Sequence, residues 1–149
     1  MSTSSTILFL CTGNYYRSRY SEMLFNTLAA RHDLPWTADS RGLALERGVD
    51  NHGPFARCVE ERMQRDGHAL PASRMPQQVS VEDLTKAHRV IALKEAEHRP
   101  LLSDRYPGWE ERVEYWHVHD IDFALPEVAL AEIEQRIADL VESLRREPG

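Results

Sequence analysis

Short apolar runs that lead directly into polar loops recur along this chain and limit the folds open to it. The first run extends from Thr6 to Leu10, and a polar loop at 11–17 and an amphipathic helical pattern at 18–31 follow it. A short continuous apolar run is typical of a strand that is buried on both faces. The first unit of the fold is therefore predicted to be a buried strand, a loop and a helix.

The same order of strand and helix continues to the end of the chain. Further strands are predicted at 36–40, 89–93 and 113–118, and further helices begin at Pro54, Ser80, Glu95 and Pro126. This alternation predicts an α/β fold with a four-stranded parallel sheet and helices on both faces. In such a sheet, ligands bind beyond the carboxyl ends of the strands. We therefore expect the loops at 11–17 and 119–125 to form the functional site.

Capping residues and apolar stripes indicate where the helices lie. Ser18 is a favourable N-cap for the first helix, Pro54 suits the first position of a later one, and Gly67 suits its C-terminal cap. One face of the last helix carries an apolar stripe of Val128, Ile133, Ile137, Leu140, Val141 and Leu144. This stripe predicts a helix that packs on the core.

Size and charge exclude several classes of protein. A length of 149 residues suits one domain over 1–149, and no linker or repeat divides the sequence. The net charge of −6 argues against a nucleic-acid-binding protein, which normally carries a basic footprint. The first apolar run is too short for a signal peptide or a membrane span. A cytoplasmic location without membrane attachment is expected.

The loop after the first strand carries the residues on which a function can be predicted. It reads Cys11, Thr12, Gly13, Asn14, Tyr15, Tyr16, Arg17 and Ser18. A cysteine and an arginine six residues apart form a weak pattern, but their position between a buried strand and a helix is specific. Gly13 and Asn14 readily adopt positive φ, and a loop bent in this way turns its backbone N–H groups into an anion-binding nest.

Three side chains of this loop suit phosphoryl transfer. The nest and the helix dipole favour the thiolate of Cys11 near neutral pH, which makes Cys11 the candidate nucleophile. Arg17 offers a planar fork that matches two phosphate oxygens, and the Ser18 hydroxyl can stabilise the thiolate as a leaving group. The alternative is that Cys11 is a small buried apolar residue. That interpretation leaves Gly13, Asn14 and Ser18 unexplained.

A phosphate ester also needs a proton donor for its leaving group, and the second loop offers two carboxyl groups. Asp120 directly follows the fourth predicted strand, and Asp122 lies two residues further on. Either could act as a general acid. Both also fit loop solvation or a favourable charge before the last helix. The residues alone leave the choice between them open.

The first segment of the chain resembles the N-terminus of the low-molecular-weight protein tyrosine phosphatases. The resemblance starts from Ile7 to Asn14, followed by Arg17-Ser18 and Ser21-Glu22, and it extends over essentially the whole chain. The family implies a four-stranded parallel sheet, no metal or other cofactor, and catalysis by Cys11, Arg17 and Asp120. It further implies phosphate binding by the loop residues Thr12, Gly13, Asn14, Tyr15, Tyr16 and Ser18, support of the loop by Asn14 and Ser40, and an aromatic wall of the substrate cleft at Phe123.

The chain departs from the family pattern at four positions. Ile121 follows Asp120 in place of the usual proline, Tyr16 replaces a second cysteine, Arg19 replaces a proline, and Lys94 replaces an acidic residue beside the active site. The changes bear on the identity of the acid and on substrate preference more than on catalysis by Cys11 and Arg17.

The expected function is hydrolysis of phosphotyrosine in a protein, or of a small aryl phosphate, through a phosphocysteine. Arsenate reductases of the same family are the nearest alternative, but they need further cysteines, and Cys58 is predicted to lie on the apolar face of a helix. A phosphate-binding regulatory module without turnover is a second alternative, because the acid loop is altered. His117 and His119 lack a third placed ligand, so no metal site is predicted.

Overall fold

Strands and helices alternate along the chain. The protein is described here by a computed structural model that covers residues 5–48, 50–71, 74–118 and 126–147. In chain order the elements are β1 (Ser5–Cys11), α1 (Arg17–Arg31), β2 (Trp36–Gly42), α2 (Arg57–Arg65), α3 (Val81–Lys86), β3 (Arg89–Ala92), α4 (Glu95–Arg105), β4 (Glu114–Tyr115) and α5 (Pro126–Arg146). Short 3₁₀ turns lie at Leu45–Gly48 and Trp109–Glu111.

The four strands form one parallel sheet in the order β2-β1-β3-β4. The strand β1 pairs with β2 as far as Cys11 opposite Gly42, and with β3 as far as Leu10 opposite Ala92. The predicted α/β class with a four-stranded parallel sheet is confirmed. Because β1 lies between β2 and β3, the connections that follow β1 and β3 begin at neighbouring positions, where α/β sheets form their ligand crevice.

Helices cover both faces of the sheet and enclose two buried clusters. Along β1, Ile7 and Phe9 pack into a cluster with α1, α2 and α5, whereas Leu8 and Leu10 pack into a cluster with α3 and α4. Successive residues of a strand point to opposite faces, and here both faces are covered. This burial accounts for the continuous apolar run in the sequence.

The helix α1 begins one residue earlier than predicted, with Tyr16 and not Ser18 at its N-cap. The hydroxyl of Ser18 instead contacts the thiol of Cys11 and the side-chain amide of Asn14. The N-cap prediction for Ser18 is therefore wrong, because the loop in front of the helix uses that hydroxyl.

The helix α2 begins at Arg57, three residues after the predicted start at Pro54. The backbone N–H of Ala56 donates to the carbonyl of Tyr15 at 2.9 Å and thereby ties the segment before α2 to the loop after β1. The predicted cap at the other end is confirmed, since Gly67 has a φ of +75° just beyond the helix.

Other expectations about the elements are met in part. The predicted helix start at Ser80 is a capping box, in which Ser80 and Asp83 each accept a backbone N–H of the other at 3.0 Å. The apolar stripe of α5 is buried except at Val128, which is 51% exposed. The strand β4 is shorter than predicted, although Val118 N still donates to Leu93 O at 2.7 Å.

Candidate active site

Cys11 is the last residue of β1, and its thiol lies at the base of the following loop. Its Sγ is 2.9 Å from Ser18 Oγ, and the residue is 3% exposed. Ser18 Oγ accepts a hydrogen bond from Asn14 Nδ2 at 3.0 Å, which leaves the hydroxyl proton available to the sulfur. A hydroxyl proton directed at Sγ would stabilise a thiolate at this position.

Asn14 holds the loop in shape. It is fully buried and has a φ of +52°, a conformation that asparagine tolerates better than most residues. Its amide nitrogen donates to Ser18 Oγ at 3.0 Å and to Ser40 Oγ at 2.9 Å. Its oxygen accepts from Arg74 Nη1 at 3.1 Å and from Gln77 N at 3.0 Å. The hydrogen-bonding capacity of the amide is thus fully used.

The bend of the loop depends on Asn14 and on close packing more than on Gly13. The expectation of positive φ at Gly13 was wrong. A Cβ at Gly13 would lie 3.3 Å from Asn51 Nδ2, so the glycine is closely packed. The carbonyls of Cys11 and Thr12 accept hydrogen bonds, each of 2.9 Å, from the backbone of Leu43 and Ala44. These two carbonyls therefore point toward the chain that follows β2.

A charged network behind Asn14 extends the support of the loop. Ser40 Oγ donates to Glu22 Oε1 at 2.5 Å, and Arg74 Nη2 lies 3.1 Å from both Glu22 Oε1 and Ser40 Oγ. Burial lowers the pKa of the Arg74 guanidinium, and the ion pair with Glu22 opposes this effect. We call Asn14, Ser18, Glu22, Ser40 and Arg74 the loop brace. The contact between Asn14 and Ser40 is the one that the family resemblance implied.

Arg19 also joins the loop brace from the first turn of α1. It is 1% exposed, its Nη1 donates to Glu22 Oε1 at 2.8 Å, and its guanidinium lies over the ring of Phe55 at 5.5 Å from the centroid. The arginine that replaces a proline here is therefore a buried structural residue.

Arg17 is the first residue of α1 and is 2% exposed. Its Nη1 donates to Val118 O at 3.2 Å, and its Nη2 donates to Glu97 Oε2 at 2.7 Å. Thr12 Oγ1 donates to the same carboxylate oxygen. The sequence patterns did not single out Glu97, although it lies in the first turn of α4, directly after the strand that pairs with β1.

The carboxyl group of Glu97 is held in its ionised form. Burial raises its pKa, but hydrogen bonds from His98, Arg17 and Thr12 outweigh this effect and keep the pKa well below its usual range. The ionised Glu97 balances the buried charge of Arg17. Burial of the guanidinium without a partner of opposite charge would be unfavourable.

The two tyrosines of the loop have different surroundings. The hydroxyl of Tyr15 donates to His52 O at 2.5 Å, and the half-buried ring is thereby held next to the segment before α2. The side chain of Tyr16 is 5% exposed and belongs to the larger core cluster. Any contribution of Tyr16 to phosphate binding is therefore through its backbone N–H.

The whole of the second predicted loop, residues 119–125, lies outside the described residues, and with it the predicted site residues Asp120, Asp122 and Phe123. The last described residue before them is Val118, whose carbonyl accepts the hydrogen bond from Arg17. The chain thus enters this loop directly beside the guanidinium of Arg17.

A sequence model of the low molecular weight phosphotyrosine protein phosphatases matches residues 6–148. The chain belongs to this family. As a family member it is a cysteine-based phosphatase, and its substrate is a phosphoprotein or a small phosphate compound.

Solved structures of low molecular weight phosphatases and related proteins have the same fold. YfkJ from Bacillus subtilis is 24% identical, with 99% of each chain covered and a TM-score of 0.82. The low molecular weight protein tyrosine phosphatase from T. tengcongensis is 23% identical over 94% of this chain and 99% of its own, with a TM-score of 0.78. The YwlE arginine phosphatase from Geobacillus stearothermophilus is 22% identical over 95% and 93%, with a TM-score of 0.72. No curated protein sequence matches this phosphatase significantly.

The second cysteine of this phosphatase lies on a helix. Cys58 is a free thiol on α2, half-buried against the larger core cluster, and burial raises its pKa. Within the described ranges, no three His, Cys, Asp or Glu side chains are grouped as metal ligands. No described helix is both long enough and apolar enough to cross a membrane.

Proposed function

We propose that this phosphatase hydrolyses phosphotyrosine, or similar aryl phosphate monoesters, through a phosphocysteine formed on Cys11. The observation that carries the proposal is the 2.9 Å contact between Cys11 Sγ and Ser18 Oγ, in a loop that Asn14 holds and that leads into the buried Arg17. A thiolate, a guanidinium and a hydroxyl in this arrangement supply a nucleophile, a binder for phosphate oxygens and a stabiliser of the leaving sulfur.

The proposed reaction has two steps. The thiolate of Cys11 attacks phosphorus, the bond to the phenolic oxygen breaks, and Asp120 donates a proton to the leaving phenolate. A water molecule then attacks the phosphocysteine and gives a proton to the Asp120 carboxylate. The S–P bond breaks, and the Ser18 hydroxyl stabilises the departing thiolate. Arg17 binds two phosphate oxygens in both steps, and the mechanism calls for no cofactor.

Replacement of each cysteine tests the nucleophile. Cys11→Ser should abolish hydrolysis of para-nitrophenyl phosphate but still bind inorganic phosphate, because Arg17 and the backbone N–H groups of the loop remain. Cys58→Ser is the matched control and should retain activity, since Cys58 is a poorly ionised thiol on α2. Substantial turnover by Cys11→Ser would rule out a phosphocysteine.

The substrate class is tested with phosphotyrosine, phosphoserine and phosphoarginine peptides of one common sequence. We expect the highest kcat/KM for phosphotyrosine, because the half-buried ring of Tyr15 is fixed at the loop and can pack against an aryl group. Two solved structures of similar fold are named YwlE arginine phosphatase, so phosphoarginine is the critical competitor. A preference for phosphoarginine would contradict the proposed substrate.

Asp120 is proposed as the general acid. Asp120→Asn should lower kcat by roughly 10²- to 10⁴-fold for a poor leaving group, the usual range for general acid catalysis. The loss should be much smaller for an ester of an acidic phenol, which leaves without a proton. Asp122→Asn is the matched control two residues away. If only Asp122→Asn gives the leaving-group-dependent loss, the acid is Asp122.

Two other functions receive less support. Arsenate reduction would require a second thiol to form a disulfide, and the raised pKa of Cys58 leaves little thiolate for that role. A phosphate-binding module without turnover would bind inorganic phosphate but release no para-nitrophenol. The para-nitrophenyl phosphate assay therefore distinguishes an enzyme from a protein that only binds phosphate.

A further inference from the structure

One oxygen of Glu97 receives donors from both sides of the phosphate-binding loop. Glu97 Oε2 lies 2.7 Å from Arg17 Nη2 and accepts a hydrogen bond from Thr12 Oγ1. The side chain of Glu97 is 25% exposed, whereas that of Arg17 is 2% exposed. A half-buried carboxylate thus joins the first part of the loop to the arginine at its end.

His98 approaches the same carboxylate from within α4. Its Nδ1 accepts the backbone N–H of Lys94 at 3.1 Å, which assigns the proton of the neutral imidazole to Nε2. This Nε2 lies 3.1 Å from Glu97 Oε2, and the imidazole is fully buried. The backbone at the start of α4 therefore holds the ring beside the carboxylate.

Arg17 is also held on its other side, where Nη1 donates to Val118 O at 3.2 Å. Contacts at both terminal nitrogens limit rotation of the guanidinium about its long side chain. Bidentate binding of phosphate depends on the orientation of the guanidinium plane. A group that sets this plane before the substrate arrives should improve both phosphate binding and the chemical step.

We propose that Glu97 and His98 are positioning residues, which hold the guanidinium of Arg17 in the orientation that binds phosphate. The opposite possibility is that Glu97 competes with phosphate for Arg17. The two possibilities predict opposite changes in phosphate affinity when Glu97 is replaced. A competitor weakens phosphate binding and its removal tightens it, whereas removal of a positioning residue weakens phosphate binding even though a negative charge has been lost.

The first experiment compares Glu97→Gln with Glu95→Gln. Glu95 lies on the same turn of α4 but pairs with Arg99 at 3.3 Å and not with Arg17, so it controls for the loss of one nearby negative charge. We expect Glu97→Gln to bind inorganic phosphate at least about tenfold more weakly. Its kcat for para-nitrophenyl phosphate should fall by about 10-fold to 100-fold, while Glu95→Gln should match the wild type. Tighter phosphate binding by Glu97→Gln, or equal losses in both variants, would overturn the proposal.

The second experiment tests His98 by rescue. A glutamine at this position can place an N–H donor where the imidazole Nε2 lies, whereas a leucine of similar size cannot. His98→Leu should lower kcat, and His98→Gln should recover most of that loss. If the buried ring has only a structural role, both variants should lose thermal stability. Their kcat values should then be equal. That outcome would exclude a positioning role for His98.

A double variant shows whether Glu97 acts through Arg17. In the Arg17→Lys background the planar fork is absent, so Glu97→Gln should weaken phosphate binding much less than in the wild type. An undiminished effect would mean that Glu97 acts by another route. The proposed role of Glu97 and His98 rests on the proposed function only where kcat is measured. A wild-type protein that binds phosphate but hydrolyses no ester would refute the proposed function, and the phosphate affinities would still decide the role of Glu97.

Discussion

Asn14 illustrates how one residue can determine the shape of the phosphate-binding loop. Its positive φ turns the backbone, and its amide joins Ser18, next to Cys11, to Ser40 and Arg74 of the loop brace. A buried amide with every donor and acceptor used is costly to remove, because each former partner loses a hydrogen bond away from water.

Asn14→Ala is therefore expected to reduce both stability and catalysis. The free energy of unfolding should fall by about 1–3 kcal/mol, because polar groups of the loop brace become unpaired. The kcat should fall roughly 10- to 100-fold, since the Ser18 hydroxyl is no longer oriented toward Cys11. Denaturant unfolding and hydrolysis of para-nitrophenyl phosphate measure the two effects.

Asn26→Ala is the matched control for Asn14→Ala. Asn26 also bonds through both ends of its amide, but to the backbone of Ala38 in β2, at 3.0 and 2.8 Å. This variant should lose stability and keep the kcat of the wild type. A comparable loss of kcat in both variants would mean that destabilisation alone explains the effect of Asn14→Ala.

The ends of β1 and β2 meet directly behind the loop, and the space at the end of β2 has no room for a side chain. Gly42, opposite Cys11 in the strand pairing, is the last residue of β2. A Cβ at Gly42 would lie 2.9 Å from Thr12 O and 3.1 Å from Asn14 N. Both are backbone atoms of the loop, so neither can move without changing its shape.

Gly42→Ala should consequently lower kcat and destabilise the protein by about 1–3 kcal/mol, the usual cost of overpacking a close contact. Gly48→Ala is the control, because a Cβ there would approach the end of the Asn51 side chain, with Nδ2 at 2.6 Å, and that side chain can rotate. Thermal unfolding and steady-state kinetics distinguish the two. Equal kcat values for Gly42→Ala and the wild type would show that the loop tolerates the displacement.

A partly buried polar cluster connects three helices across the molecule. Tyr20 of α1 donates its hydroxyl to Glu134 Oε2 of α5 at 2.5 Å, and Arg62 of α2 binds both oxygens of the same carboxylate at 2.7 and 2.9 Å. Burial raises the pKa of Glu134, but the hydrogen bonds from Arg62 and Tyr20 outweigh it and lower the pKa overall. The ionised carboxylate therefore holds α1, α2 and α5 together on one face of the sheet.

The cluster predicts a dependence of stability on pH. A folded-state pKa below the ordinary value of about 4.3 means that Glu134 stabilises the fold above that pH. This contribution is lost as the pH falls and the carboxylate becomes protonated. Between about pH 6 and pH 3, the free energy of unfolding should fall more steeply for the wild type than for Glu134→Gln.

Glu142→Gln serves as the control for that measurement, because Glu142 lies on the same helix and pairs at 3.2 Å with the exposed Arg145 and Arg146. Surface pairs of this kind contribute little to stability. Its pH dependence should parallel that of the wild type. Parallel curves for Glu134→Gln and the wild type would contradict the predicted role of Glu134.

Features that depend on neighbours along the chain could be predicted from the sequence. The apolar run of β1 is continuous because both faces of a central parallel strand are covered. Cys11 and Arg17 could be identified as a pair because only a short loop separates the end of the strand from the start of the helix. The capping box at Ser80 and the turn at Gly67 are likewise local, since each involves residues within one helical turn.

The tertiary structure alone decided which distant residues meet the loop. Nothing in the pattern of strands states that β1 pairs with β3, yet this order brings Glu97 and His98 of α4 to Arg17. Arg74 lies in an irregular segment without periodicity, and its contacts with Asn14 and Glu22 join residues 60 and 52 positions apart. Ser18 suits an N-cap by type, but the thiol 2.9 Å away competes for its hydroxyl. Local propensity describes what a residue can do, whereas long-range packing selects the partner with which it does so.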